Sequence, residues 1–135
     1  MSPHEALVRE TREWLERAQG DLAACAALIA AGLDAEALFH AQQCAEKSMK
    51  AVLTWHQISF KKTHDLDELK QTCLPIAGEL TAQLAGIEGL SQYAWRFRYP
   101  GAPYHPERAE SETAMQAAGQ IFNAVATRLN SEFGQ

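Results

Sequence analysis

The chain has few cysteines and no long apolar run. The cysteines are odd in number and widely spaced, which argues against a disulfide framework and indicates a reducing compartment; we interpret them as small core residues. No apolar run approaches the roughly 20 residues of a membrane-spanning helix. Met1 to Arg12 contains acids and lacks the apolar centre of a signal peptide. The sequence therefore predicts a cytoplasmic protein without a membrane segment.

Several catalytic and metal-binding motifs are also missing. The sequence contains no Gly-rich phosphate loop, no Walker-type lysine motif and no nucleophile elbow. His40 and Cys44 have the i, i+4 spacing of two zinc ligands on a helix, but the chain offers no clear third and fourth ligand. We therefore predict a core or dimer-interface role for both residues, and we expect no metal and no cofactor.

The hydrophobic pattern is helical throughout. A chain of 135 residues with 47% hydrophobic residues is the usual size of one domain, here 1–135, and can bury a core. Apolar residues recur at steps of three and four, with no strand alternation. The prediction is an all-α, antiparallel up-down helical bundle of four long helices plus one short helix. The expected spans are about 5–31, 34–56, a short helix beginning near 63–65, 75–95 and 107–130.

Local signals predict how these helices begin and end. Gly32 should stop the first helix, and Asp34 should cap the second. Either Thr63 or Asp65 should cap the short helix. Gly86 and Gly89 weaken the third long helix and allow a local irregularity near Gly86. For the last helix we expect fraying of residues 131–135 and a core stripe of Ala109, Thr113, Ala117, Ile121, Ala124 and Arg128.

The middle of the second helix combines an apolar stripe with polar groups. Leu38, Ala41, Ala45, Met49 and Val52 form the core side. Gln42 and Glu46 lie one turn apart on one flank, and Gln43, Lys47 and Lys50 follow each other on another. Two interpretations stay open for these polar residues, a binding site or an ordinary solvated helix face.

Positive charge is concentrated in the middle of an acidic chain. The net charge is −5, which argues against a protein that coats nucleic acid by charge alone. Residues 47–108 nevertheless hold 8 of the 12 basic residues. A local anion-binding patch would form if the fold brought together the basic residues of this segment that lie outside the short helix. These residues are Lys47, Lys50, Lys61, Lys62, Arg96, Arg98 and Arg108.

The segment from Arg96 to Pro106 breaks the helical pattern with four helix-breaking residues, Pro100, Gly101, Pro103 and Pro106. Aromatic and cationic side chains alternate in and around it. Such a mixture can stack on bases and hold phosphate. The alternative is a stiff, half-buried connector.

Four pieces of sequence, in order, resemble the HEPN domain family. They are Trp14 with Asp21-Leu22, the stretch Phe39-x-x-Gln42-Gln43-x-x-Glu46-Lys47-x-x-Lys50-Ala51, then Lys62-Thr63-His64-Asp65-Leu66, and finally Arg98-Tyr99-Pro100-Gly101. The resemblance spans nearly the whole chain. It implies a helical bundle that forms a homodimer and binds nucleotide or RNA. It also implies a minimal nucleotidyltransferase as partner protein, in a toxin–antitoxin-like system.

The resemblance also implies site residues. Nucleotide or phosphate binding is expected at Gln43, Glu46, Lys47, Lys50, Lys62, His64, Tyr99 and Tyr104, although His64 also suits a purely local role at a helix start. We further predict that Arg98 and the Lys47–Lys50 turn face one cleft.

Some HEPN proteins are metal-independent ribonucleases with an Arg-x(4–6)-His motif. Arg98 and His105 fit the upper limit of this spacing and are the catalytic candidates, with His105 moving protons and Arg98 holding phosphate. However, Tyr99 follows the arginine where ribonuclease members have a polar residue, and prolines fill the interval. We therefore predict weak or absent RNA cleavage.

Three functions remain open from the sequence. The first is a non-catalytic nucleotide- or RNA-binding partner of a nucleotidyltransferase. The second is a metal-independent ribonuclease using Arg98 and His105. The third is a structural dimerisation or protein-interaction module, for which Phe97 and Tyr99 would be the apolar anchors.

Overall fold

A computed structural model describes residues 1–62, 65–94 and 105–134. These residues are helical without any β-strand, and the predicted all-α antiparallel bundle is confirmed. The α-helices are α1 (Pro3–Ala30), α2 (Asp34–Trp55), α3 (Leu66–Cys73), α4 (Thr81–Leu84) and α5 (Arg108–Phe133). Short 3₁₀ helices lie at Gly78–Leu80, Ala85–Gly89 and Ser91–Ala94.

The first two helices form the predicted antiparallel hairpin. Gly32 adopts φ +77°, a left-handed conformation in which a side chain is strained, and it ends α1 as expected. The Leu33 amide then donates to the Leu28 carbonyl at 2.8 Å, so the chain reverses within one turn. His4 near the start of α1 consequently lies beside Trp55 at the end of α2, with ring centroids 6.0 Å apart.

Asp34 does not cap α2 as predicted. It already lies inside the helix, and its N-cap position is taken by Leu33, which makes no side-chain capping bond. The Asp34 carboxylate instead accepts hydrogen bonds from Ser111 at 2.6 Å and Arg108 at 3.1 Å. The bond from Ser111, with that from Arg108, lowers the pKa of Asp34. A residue that resembles a local cap thus joins the starts of α2 and α5.

Helix α2 is the centre of the bundle. It packs against α1, α3 and α5, and its predicted apolar stripe is fully buried, namely Leu38, Ala41, Ala45, Met49 and Val52. Small alanines on this stripe allow neighbouring helices to approach closely. The cysteines predicted as core residues are buried free thiols on three different helices, Cys25, Cys44 and Cys73.

The segment predicted as a third long helix is a series of short helical turns. Two 3₁₀ helices flank the four-residue α4, and a third follows at Ser91–Ala94. Gly78, Gly86 and Gly89 lower the helical propensity of this segment, so packing rather than propensity sets its path. Its apolar residues still face the core, because Leu80, Leu84, Ile87 and Leu90 are buried.

Helix α3 begins at the second of its two predicted caps. The Asp65 carboxylate accepts from the backbone amides of Asp67 and Glu68, at 3.0 and 3.2 Å. This contact satisfies two amides that the first turn leaves without helical partners.

Helix α5 differs from the prediction in two ways. Of the expected stripe, only Ile121 is buried; the buried positions are Ser111, Ala114, Ala118, Ile121, Val125, Leu129 and Phe133. The helix also continues to Phe133 instead of fraying, because the Phe133 ring packs on Trp55 at 5.1 Å. Several alanines on adjacent faces made the stripe ambiguous in the sequence.

No helix in the described part of the chain combines the length and apolarity that a membrane crossing needs.

Candidate functional site

The polar flanks of α2 are largely inside the protein. Gln42 is 0% exposed, Glu46 2% and Gln43 8%, so the interpretation as an ordinary solvated helix face is wrong for these residues. Gln43 donates to the Gln42 side-chain oxygen at 2.7 Å. Buried polar groups are stable only when they are hydrogen-bonded, so these side chains are held in fixed positions.

Lys50 lies between two aromatic rings. Its ammonium is 5.5 Å from the centroid of Trp14 and 5.6 Å from that of Phe60, and these two rings contact each other edge to face. Lys50 also donates to Glu46 at 3.4 Å. The side chain is 10% exposed. A cation in this setting is held by the ring quadrupoles and by one carboxylate, which leaves it poorly accessible to a ligand.

Asp21 of α1 gathers two partly exposed basic side chains of α2. Lys47 donates to its Oδ2 at 2.6 Å, and His40 Nδ1 lies 2.8 Å from its Oδ1. The Asp21 side chain is 9% exposed, whereas His40 and Lys47 are 33% and 23% exposed. His40 and Lys47 are therefore more accessible to solvent than Lys50 and Glu46, whose side chains are 10% and 3% exposed.

The connector after α2 runs along the same side. Phe60 packs on Trp14 and Lys50, and the chain continues directly into Lys61 and Lys62, which are exposed. Of the predicted patch, Lys50 contacts Phe60, and Lys61 and Lys62 are the next two residues of the chain. Arg108 is engaged by Asp34 at the start of α5.

Two comparisons with known proteins identify the family. The sequence model of the HEPN domain matches residues 11–129. The chain belongs to the HEPN domain family. A solved structure that is similar to it is TT1696 from Thermus thermophilus, with 27% identity and a TM-score of 0.77 over 87% of this chain and 96% of that one. Another is ST0689, an archaeal HEPN homologue, with 25% identity and a TM-score of 0.71 over the same shares. No curated protein matches the chain.

The ribonuclease motif of HEPN proteins falls mostly outside the described residues. Arg98 of that motif lies there, and so do the predicted binding residues His64, Tyr99 and Tyr104. The pairing of Arg98 with His105 therefore stays a prediction. The same holds for the cleft that Arg98 was expected to share with Lys47. His105 is described and is exposed, three residues before α5 begins.

Two residues of this HEPN domain were missed as site candidates, Asp21 and His40. The sequence did contain a signal, because Asp21 falls between Ala18 and Cys25 on the core stripe of α1, where an acid needs a partner. The sequence predicted a core or dimer-interface role for His40 and Cys44, but the His40 side chain is 33% exposed. Its Nδ1 contacts Asp21 instead, and burial raises the pKa of Cys44 to about 12, which keeps it a neutral thiol.

Residues 1–62, 65–94 and 105–134 contain no group of three or more His, Cys, Asp or Glu side chains that could hold a metal ion. The basic side chains that the structure shows at or near this surface are His40 and Lys47, which both contact Asp21, and the exposed Lys61 and Lys62, which follow the half-buried Phe60.

Proposed function

We propose that this HEPN domain binds nucleotide or RNA at the surface formed by α1, α2 and the connector 56–62. The observation that carries the proposal is the position of Phe60. Its contacts with Trp14 and Lys50 hold the connector against the polar side of α2. Lys61 and Lys62 follow Phe60 directly in the chain, and the proposal assigns them to the same surface as Lys47.

Charge and aromaticity at this surface suit a phosphate-bearing ligand. Lys61 and Lys62 are exposed, and Lys47 is partly exposed. Trp14 and Phe60 are half-buried at this surface, and exposed parts of aromatic side chains can stack on bases. The chain as a whole carries a net charge of −5, so attraction of a polyanion must be local and sensitive to salt.

The proposal includes a homodimer and a small nucleotidyltransferase as partner protein. Both rest on the likeness to HEPN proteins. The polar flank of α2 supplies no separate physical reason for dimerisation, because one chain already buries Gln42, Gln43 and Glu46. A dimer interface would therefore lie on another surface or at the margin of this one.

Fluorescence anisotropy with a labelled single-stranded RNA tests the proposal. Binding should weaken as salt rises, and the double variant Lys61→Met with Lys62→Met should lower the slope of log affinity against log salt by about 0.7 for each lost phosphate contact. Arg9→Gln is the control, because it removes one exposed charge that pairs with Glu13 on α1. Absence of binding at low salt, or equal slopes in the double variant and wild type, would contradict the proposal.

Nucleotidyltransferase partnership is tested separately. Co-expression of the chain with the product of a neighbouring gene, if that product is a small nucleotidyltransferase, should give a complex that survives size-exclusion chromatography. Independent elution of the two proteins would remove this part of the proposal without affecting RNA binding.

A further inference from the structure

His40 and Lys47 share one carboxylate, which brings two basic groups to one place. Both contact Asp21, His40 at Oδ1 and Lys47 at Oδ2, at 2.8 and 2.6 Å. Their separation cannot exceed the width of a carboxylate plus two hydrogen bonds. The residues come from two helices of the central hairpin, so the arrangement is set by packing and not by a mobile loop.

The contact with Asp21 determines how the His40 ring is protonated. An ionised carboxylate only accepts hydrogen bonds, so Nδ1 must carry a proton and donate it to Asp21. In the neutral ring Nε2 is therefore the unprotonated nitrogen. Within the part of the chain that the structure describes, no hydrogen bond engages Nε2, and the side chain is 33% exposed.

The charge of this cluster depends on one proton. Asp21 and Lys47 cancel, so the cluster is neutral when His40 is neutral and carries a single positive charge when Nε2 is protonated. Protonation also turns Nε2 from an acceptor into a donor, beside a Lys47 ammonium that keeps two of its three donors. Histidine is the side chain that changes charge between pH 5 and 8.

Neighbouring groups do not replace this switch. Within two turns of Asp21, α1 carries the further titratable side chains Glu16, Arg17 and Cys25. Within two turns of His40, α2 carries Asp34, Glu36, Cys44, Glu46 and Lys47, of which Asp34 pairs with Arg108 of α5. Burial raises the pKa of Cys25 to about 11 and that of Cys44 to about 12, so both stay neutral. Arginine and carboxylate side chains ordinarily titrate outside the range from pH 5 to 8.

We propose that His40 and Lys47, held by Asp21, form a phosphate-binding site that is switched on when His40 is protonated. The site takes the phosphate group of the nucleotide or RNA and therefore rests on the proposed function for its ligand. It assigns recognition of phosphate to residues outside the Arg98–His105 motif. Charge-assisted hydrogen bonds from Nε2 and Nζ supply the affinity.

Sulfate is the suitable first probe, because it keeps its charge between pH 5 and 8, whereas phosphate itself titrates in this range. Calorimetry at pH 5.5 and pH 8.0 should show at least tenfold tighter sulfate binding at the lower pH. Sulfate and a nucleoside monophosphate should both shift the NMR signals of the His40 ring, and the nucleoside without phosphate should not.

His40→Asn is the matched variant, because its amide can still donate to Asp21 from the place of Nδ1 while Nε2 is lost. It should bind sulfate about tenfold more weakly than wild type at pH 5.5, and its remaining affinity should not depend on pH. Lys47→Met should weaken binding at both pH values. Arg9→Gln, about 18 Å along α1 from Asp21, should change neither.

The outcomes separate this inference from the proposed function. RNA or nucleotide binding that His40→Asn and pH leave unchanged would overturn the inference while the proposed function stands. Sulfate binding that depends on His40, without any nucleotide or RNA binding, would support the site and overturn the proposed function. Sulfate that shifts no His40 signal at pH 5.5 would overturn the inference directly.

Discussion

Lys50 shows how a charged residue becomes part of the core. Its ammonium contacts the rings of Trp14 and Phe60 and the carboxylate of Glu46. Lys50→Met keeps the apolar stem but removes these contacts, so we expect the free energy of unfolding to fall by about 2 kcal/mol. Urea unfolding followed by tryptophan fluorescence measures the change.

The matched control for Lys50 is Lys62→Met, an exposed lysine that should alter stability by no more than about 0.5 kcal/mol. A double-mutant cycle of Lys50→Met with Glu46→Gln isolates the contact between the two side chains. Equal stability of Lys50→Met and wild type would show that the buried ammonium contributes nothing.

The buried thiols predict how stability depends on alkaline pH. Burial raises the pKa of Cys44 and of Cys73 to about 12, whereas a thiol in the unfolded chain has a pKa of about 8.5. As pH rises through this window the unfolded chain loses protons first, so the free energy of unfolding falls. The stabilisation is complete below about pH 8.5 and is lost towards about pH 12.

Cys44→Ala checks this effect. It should reduce the slope of unfolding free energy against pH by up to about 1.4 kcal/mol per pH unit between pH 9.5 and 11. Comparing the slopes of variant and wild type cancels the titration of lysines and tyrosines that both share. Identical slopes would mean that the thiol ionises alike in both states.

At the scale of the element, the end of α5 depends on one aromatic side chain. Phe133 packs on Trp55, and the Arg12 guanidinium lies 5.0 Å from its ring centroid. Phe133→Ala should lower the free energy of unfolding by about 3 kcal/mol and remove hydrogen-exchange protection from the last turn. Phe133→Leu keeps apolar volume and should lose less. Unchanged protection in the alanine variant would show that the last turn does not depend on Phe133.

Helix boundaries were predictable where the signal was local. Gly32 ends α1 through its own backbone conformation, and Asp65 caps α3 through amides two and three residues away. The failures involved distant partners. Asp34 resembles a cap, yet its hydrogen bonds go to Ser111 and Arg108, more than seventy residues along the chain.

At the scale of the molecule, we predict a homodimer. Light scattering at micromolar concentration should return about twice the chain mass of 14.9 kDa. The prediction rests on the likeness to HEPN proteins, since the polar flank of α2 is already covered within one chain. Arg9→Gln and Lys47→Met should leave the mass unchanged if the anion-binding surface and the interface are separate. A mass of one chain at this concentration would refute the dimer.

The sequence by itself determined the helical class, the central hairpin and the apolar stripe of α2, because each depends on periodicity and on residues close along the chain. Only the tertiary structure decided which polar residues of α2 are buried and which reach solvent. The cover over Lys50 comes from Trp14 and Phe60, and the partner of His40 and Lys47 is Asp21 on another helix. Burial is a property of what packs against a residue, and periodicity along one helix does not contain that information.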